Sequence, residues 1–232
     1  MTVSTDQPRS TYVAVIGDVV GSRQIQDRAS FQDEIEEAVD ALNRRAADLL
    51  AAPLRLTGGD EMKTVLEDPA AAVDVASRIS DALYPASLAW GVGRGPITTP
   101  WASDVGRLDG PCFHRARRAV EEASEEEVWG KVYGFSPLDD TVMTALLRLL
   151  GALRGTWTEH QILSVRAVRD QSQKEAAREL GLTESGISKS LRRAQFHDVE
   201  EGERALRALL ASYRPGAEKP NRPSPDGSEG GA

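Results

Sequence analysis

Two periodicities divide the chain. "TYVAVIGDVVGS" is apolar and β-branched up to Gly17 and Asp18, the pattern of a buried strand that ends in a polar loop. From Ser30, a natural N-cap, "FQDEIEEAVDALNRRAADLLAA" sets Phe31, Ile35, Val39, Leu42, Ala46 and Leu49 on one stripe. That spacing predicts an amphipathic helix of about six turns, closed by Pro53. "LRLT" and "MKTVL" flank Gly58, Gly59, Asp60 and Glu61, which predicts a tight hairpin. "PAAAVDVASRISDALY" reads as a helix opened by Pro69, "ASLAWGVGRG" as a strand bent by its glycines, "GPCFHRARRAVEEASEEE" as a helix, and "VWGKVYGF" as a short strand. Helices packed on a largely antiparallel sheet in an α/β sandwich satisfy this order.

After "SPLDD" the pattern turns helical throughout. "TVMTALLRLLGALRG" is apolar nearly all round its first turns, so it is expected to pack against both parts and join them. Three or more helices are expected from Thr156 to Tyr213, with Gly181 breaking two of them. The tail from residue 215, rich in Pro, Gly and polar residues, is expected to be disordered. The expected division is 1–136 for the sandwich, 137–155 for a connecting helix, 156–214 for a helical domain and 215–232 for the tail.

With 232 residues, 40% hydrophobic and 28% charged, the chain has the composition of a folded protein rather than a disordered one. Its single cysteine, Cys112, excludes an intramolecular disulfide. The best apolar run is broken by Arg148, and the N-terminus lacks a basic segment followed by an apolar core, so a cytoplasmic location without membrane association is expected. Charge is uneven: residues 1–155 hold 16 Lys and Arg against 24 Asp and Glu, whereas residues 156–232 hold 12 of each. The first part repels nucleic acid; the second can approach it if its cations gather on one face.

The candidate chemistry sits in the strand-end loop and the hairpin. Asp18 and Asp60 each end or connect strands that are neighbours in a compact sheet, so their carboxylates can meet. Two hard oxygen ligands suit Mg²⁺ (or Mn²⁺), which shares its coordination with substrate phosphates. Gly21, Gly58 and Gly59 allow backbone amides to approach those phosphates, and Ser22 and Arg23 lie in the same loop. Strand alternation points Glu61 away from Asp60, as a surface carboxylate or a further metal ligand. Trp90 and Phe113 read as core.

In order, "IGDVVGSR", "RLTGGDEMKTVL", "AWGVGRG" and "LDGPCFHRARRAVEEA" resemble the palm domain of class III nucleotide cyclases and GGDEF-type diguanylate cyclases, a ferredoxin-like sandwich, over most of residues 10–135. That resemblance implies metal binding by Asp18 and Asp60, with Glu61 as a further candidate. It also implies phosphate binding on the last helix by His114, Arg115, Arg117 or Arg118, of which Arg115 or Arg118 would neutralise developing charge, Arg118 being the catalytic candidate. Arg115 and Arg118, three apart, can equally pair with "EEASEEE". Met62 stands where a diguanylate cyclase has Phe, and His114 where a cyclase has Asn; nucleotide binding survives such changes more easily than a specific cyclisation does.

"SQKEAARELGLTESGISKSLRRA" reads as helix, turn at Gly181, helix, with Thr183 as N-cap and Ala176, Ala177, Leu180, Leu182, Ile187 and Leu191 as a shared core. It resembles the helix-turn-helix of sigma-factor region 4, with "TEHQILSVRAVRDQ" as the support helix. The resemblance implies that Glu184, Ser185, Ser188, Lys189, Arg192 and Arg193 meet DNA. So few cations bind DNA weakly in one copy, which favours a homodimer. The full pattern is most similar to the SatD family. Three functions follow: a DNA-binding regulator with a nucleotide-and-Mg²⁺-binding palm, a metal-dependent nucleotidyl cyclase, or a palm kept only for dimerisation.

Overall fold

The structure is a computed structural model that describes residues 11–22 and 25–214. It is a mixed α/β protein with one five-stranded sheet and eight α-helices among the described residues. β1 (Thr11–Val19), α1 (Arg28–Ala46), β2 (Leu50–Thr57), β3 (Glu61–Leu66), α2 (Ala71–Ala82), β4 (Leu88–Pro96), α3 (Pro111–Glu125) and β5 (Gly130–Tyr133) come first. α4 (Pro137–Arg154), α5 (Glu159–Val168), α6 (Gln173–Glu179), α7 (Glu184–Arg193) and α8 (Phe196–Ala211) follow. The strands lie in the order β2-β3-β1-β4-β5, antiparallel except for the β4–β5 pair.

Side chains alternate across β1, and each face buries a different cluster. Val13, Val15 and Val19 join Leu54, Met62, Trp90, α1 and α2 in a cluster that continues without a break into α4–α8. On the other face Ala14 and Ile16 join Ala52, Val65 and Ala89 beneath Cys112, Phe113, Ala116 and Val120 of α3. A Cβ on Gly91 or Gly93 would lie 2.1 Å from the carbonyl oxygen of Ala116 or Cys112, so the glycines of β4 let the α3 backbone rest on the strand. Close approach, rather than a bend, is their structural use. The Cys112 thiol is buried, and burial pushes its pKa up to about 11, which makes it inert.

Several boundaries differ from the sequence pattern. Asp27, not Ser30, caps α1; its carboxylate accepts from the Ser30 backbone N–H at 3.0 Å. α1 ends at Ala46 rather than at Pro53, because Ala47–Leu49 tighten into a 3₁₀ turn and the chain enters β2. Pro53 falls inside β2, an edge strand with irregular register, where a missing N–H costs little. Leu182, expected in the core of the α6–α7 pair, is 52% exposed, since the turn at Gly181 (φ 65°) carries it outward. Tail residues 215–232 lie outside the described residues. No helix among the described residues is long and apolar enough to cross a membrane.

Candidate functional site

The carboxylates gather at one end of the sheet, on the α3 side. Asp18 stands directly opposite Glu61 in the β1–β3 ladder, so the two point to the same face. Asp60 precedes Glu61 in the hairpin, and the Ser22 hydroxyl donates a hydrogen bond to its Oδ2, tying the loop after β1 to the hairpin. A backbone bond from Val20 N–H to the Ser87 carbonyl (2.9 Å) anchors the same loop to the start of β4. Gly21, Gly58 and Gly59, in the loop after β1 and the hairpin turn, have φ of 70°, 75° and 98° and open space where a side chain would project.

Burial raises the pKa of the Asp18 carboxyl above the ordinary carboxylate value, and the charges of Asp60 and Glu61 push the same way; Arg117 opposes them without overcoming them. Glu61 is already engaged. Arg117 from α3 donates to both its oxygens, at 2.8 Å to Oε1, and the Thr57 hydroxyl donates to Oε1 at 3.0 Å. In this structure both oxygens of its carboxylate are engaged by Arg117. Among the described residues no three carboxylate, imidazole or thiolate groups are set to hold a metal ion by themselves. Asp18 and Asp60 remain, a two-carboxylate set of the kind that holds Mg²⁺ only together with water and phosphate oxygens.

The basic residues of α3 part company. Arg117 reaches the acidic pocket. Arg118 pairs with Glu122 at 2.7 Å and stacks on Tyr133; the Tyr133 hydroxyl, with Arg118, holds the Glu122 carboxyl down at about 2. Arg115 donates to the Arg94 carbonyl at 2.5 Å, and His114 lies 3.2 Å from Asp109, both outside the pocket. Arg23 lies outside the described residues. One residue escaped the sequence reading: Lys63, two positions beyond Glu61 on the same face, has its ammonium 4.2 Å from the Phe113 ring centre, and burial lowers its pKa. Strand alternation from Glu61 was the signal that pointed to it.

The second candidate surface is α7. Ser172 and Glu175 form a capping box on α6, and Thr183 Oγ1 accepts from Gly186 N–H at 3.1 Å to open α7. Ala176, Ala177, Ile187 and Leu191 are buried between α5, α6 and α7, while Leu180 is half-buried. Glu184, Ser185, Lys189, Arg192 and Arg193 are exposed and Ser188 is half-buried. Trp157, before α5, donates from Nε1 to the Ala194 carbonyl at 2.7 Å and fixes the end of α7.

A family model described as the SatD family matches residues 12–197, a span that takes in both surfaces. The chain belongs to the SatD family. No curated protein matches the sequence. A crystal structure titled a regulator of polyketide synthase expression, from Bifidobacterium adolescentis, is 17% identical over 86% of each chain; its TM-score of 0.26 is too low to carry an argument. In this SatD-family chain the acidic cluster is carried by β1, the β2–β3 hairpin and α3, whereas the exposed cations of the second surface are on α7; ion pairs of Arg154 and Arg169 with Asp81 and Glu203 tie α4, the end of α5 and α8 to α2.

Proposed function

We propose that this chain is a DNA-binding transcriptional regulator whose sheet and first three helices form a nucleotide-cyclase-like palm that binds a nucleotide with Mg²⁺ or Mn²⁺. In this reading residues 1–136 are the palm, α4 within 137–155 is the connector, and α5–α7 within 156–214 are a helix-turn-helix. One observation carries it: Asp18 and Asp60 are grouped beside the glycine turns of the loop after β1 and the hairpin, with Arg117 brought to the same cluster from α3. The carboxylates suit a hard cation, and the glycine amides and Arg117 suit the phosphates that would complete its shell. Glu61 positions Arg117. When bound, the cation supplies charge neutralisation for those phosphates. Release of pyrophosphate from a nucleoside triphosphate with Mn²⁺ would make the palm a cyclase; retention of intact triphosphate makes it a sensor.

α7 supports the DNA-reading half, because Lys189, Arg192 and Arg193 are exposed on it, preceded by exposed Ser185 and half-buried Ser188. Specific binding to a DNA fragment selected from random sequence is expected to weaken with salt. Replacing Lys189 and Arg192 with alanine is expected to reduce the log–log salt slope by about 2, one per lost phosphate contact. Retained affinity and slope in that double variant would take DNA binding away from α7.

Pairing of two copies is part of the proposal. α4 exposes Leu138, Val142, Ala145, Leu149 and Ala152 on one stripe, at successive spacings of four and three residues. Laid antiparallel on its own copy about Ala145, the stripe sets Leu138 against Ala152, large against small, and lets the helices approach closely at Ala145 against itself, with opposed helix dipoles. Leu149, 64% exposed, is the main anchor. Sedimentation of the full chain is expected to show a dimer that Leu149→Glu converts to monomer; an unchanged sedimentation coefficient would reject this seam.

A further inference from the structure

Away from the acidic pocket, a cleft of about 250 Å³ opens between α1, α2 and the end of α5. Its floor is apolar, made by Ala38, Leu42, Ile79 and Ala82. Its rim is not. Arg45 and Arg78 converge on the single carboxylate of Asp170, Arg78 with both ends of its guanidinium at 2.9 and 3.2 Å, and Arg45 at the same oxygen Oδ1. Arg166 also lines the cleft, exposed. Arg169 and Asp81, deeper in, are mutually paired and balanced by Glu203 and Arg154. Three rim arginines thus face one rim carboxylate, an excess of positive charge over an apolar floor in a chain whose net charge is −8.

Fork-shaped guanidinium groups that converge on one carboxylate form the geometry that recognises a planar or tetrahedral anion. Here the anion is an internal one, on the short segment between α5 and α6. We propose that this cleft is a binding site for a small organic anion, a carboxylate or phosphate carried on an apolar body, whose head group takes the place of Asp170 between Arg45, Arg78 and Arg166. The apolar body lies on the alanine, leucine and isoleucine floor. Asp170 is then an internal competitor rather than a ligand, which fixes the sign of its substitution: removing its charge strengthens binding.

The test is calorimetric titration of the full chain with phenyl phosphate, benzoate and inorganic phosphate, at constant ionic strength and with EDTA present so that no metal-dependent site contributes. Phenyl phosphate or benzoate is expected to bind saturably and more tightly than inorganic phosphate; which of the two wins tells whether the head group is phosphate or carboxylate. Asp170→Asn is expected to tighten binding several-fold, and Arg78→Gln to weaken it about tenfold or more. Arg166→Gln, which breaks no internal ion pair, is expected to weaken it without lowering Tm and serves if another variant folds poorly. The proposal is overturned by the absence of saturable binding in both wild type and Asp170→Asn, by Asp170→Asn weakening binding, by unchanged affinity in the arginine variants, or by inorganic phosphate binding as tightly as the apolar anions.

Discussion

Glu203→Ala is expected to destabilise the chain by about 3–5 kcal/mol, the range for removing one partner of a buried, hydrogen-bonded ion pair. Glu203 is 1% exposed and accepts from Arg169 at 2.7 and 2.9 Å, from Ser77 at 2.7 Å and from Arg207 at 3.3 Å. Asp81, equally enclosed, accepts from Arg154 at 2.6 Å and from Arg169 at 2.9 Å. The Arg154 guanidinium is held between Trp129 and Trp157, 4.5 and 4.9 Å from their ring centres. Without Glu203, two arginines remain desolvated with one carboxylate between them. Burial alone would raise the Glu203 pKa, but the Arg169 hydrogen bonds overrule it and hold it below its ordinary 4.5. A depressed folded-state pKa means that this stabilisation is present above about pH 4.5 and is lost as pH falls through the folded value. Urea melts between pH 3 and 7 check both points: the variant should have a lower midpoint at pH 7 and a shallower loss towards acid. A variant within 1 kcal/mol of wild type would show that the network does not hold α4, α5 and α8 to α2.

Asp18→Asn is expected to act in two opposite directions. In the absence of metal it should raise Tm by a few degrees at neutral pH, because the carboxylate it removes is charged against burial and against Asp60 and Glu61. The sign follows from linkage: the folded-state pKa of Asp18 lies above its ordinary 3.8, so the native state binds the extra proton and stability falls as pH rises through that window. The same substitution should weaken metal-dependent nucleotide binding by about 100-fold or more, since it removes one of the two carboxylates of the cluster that Arg117 does not engage. Thermal melts with and without Mg²⁺ and triphosphate check the pair of effects. A variant that melts lower without metal, or that is stabilised by metal and nucleotide as much as wild type, would contradict the account of the pocket.

Much of this was legible in the sequence because it is local. The order of strands and helices from Thr11 to Tyr133 follows from hydrophobic period and from the glycine turn, and the Thr183 cap follows from its place before "ESGISKSL". Boundaries were less legible: Asp27 and Ser30 are both good caps, and only the structure shows that the aspartate accepts the bond. Helical spacing put four basic residues on α3 but did not say which one reaches Glu61; that depends on how α3 rests on the glycines of β4, and it is Arg117 that arrives there. The Asp81–Arg169–Glu203 network was illegible, since its partners lie 88 and 34 positions apart and each, read alone, is an ordinary surface charge.

The most direct test of the central claim is DNA affinity of the full chain, at one fixed salt concentration, with Mg²⁺ and each nucleoside triphosphate in turn, run beside Asp18→Asn. Ligand control predicts that at least one nucleotide shifts the DNA Kd of wild type by about 5- to 150-fold and leaves Asp18→Asn unmoved. Equal DNA affinity with and without every nucleotide, in wild type as in the variant, would contradict it.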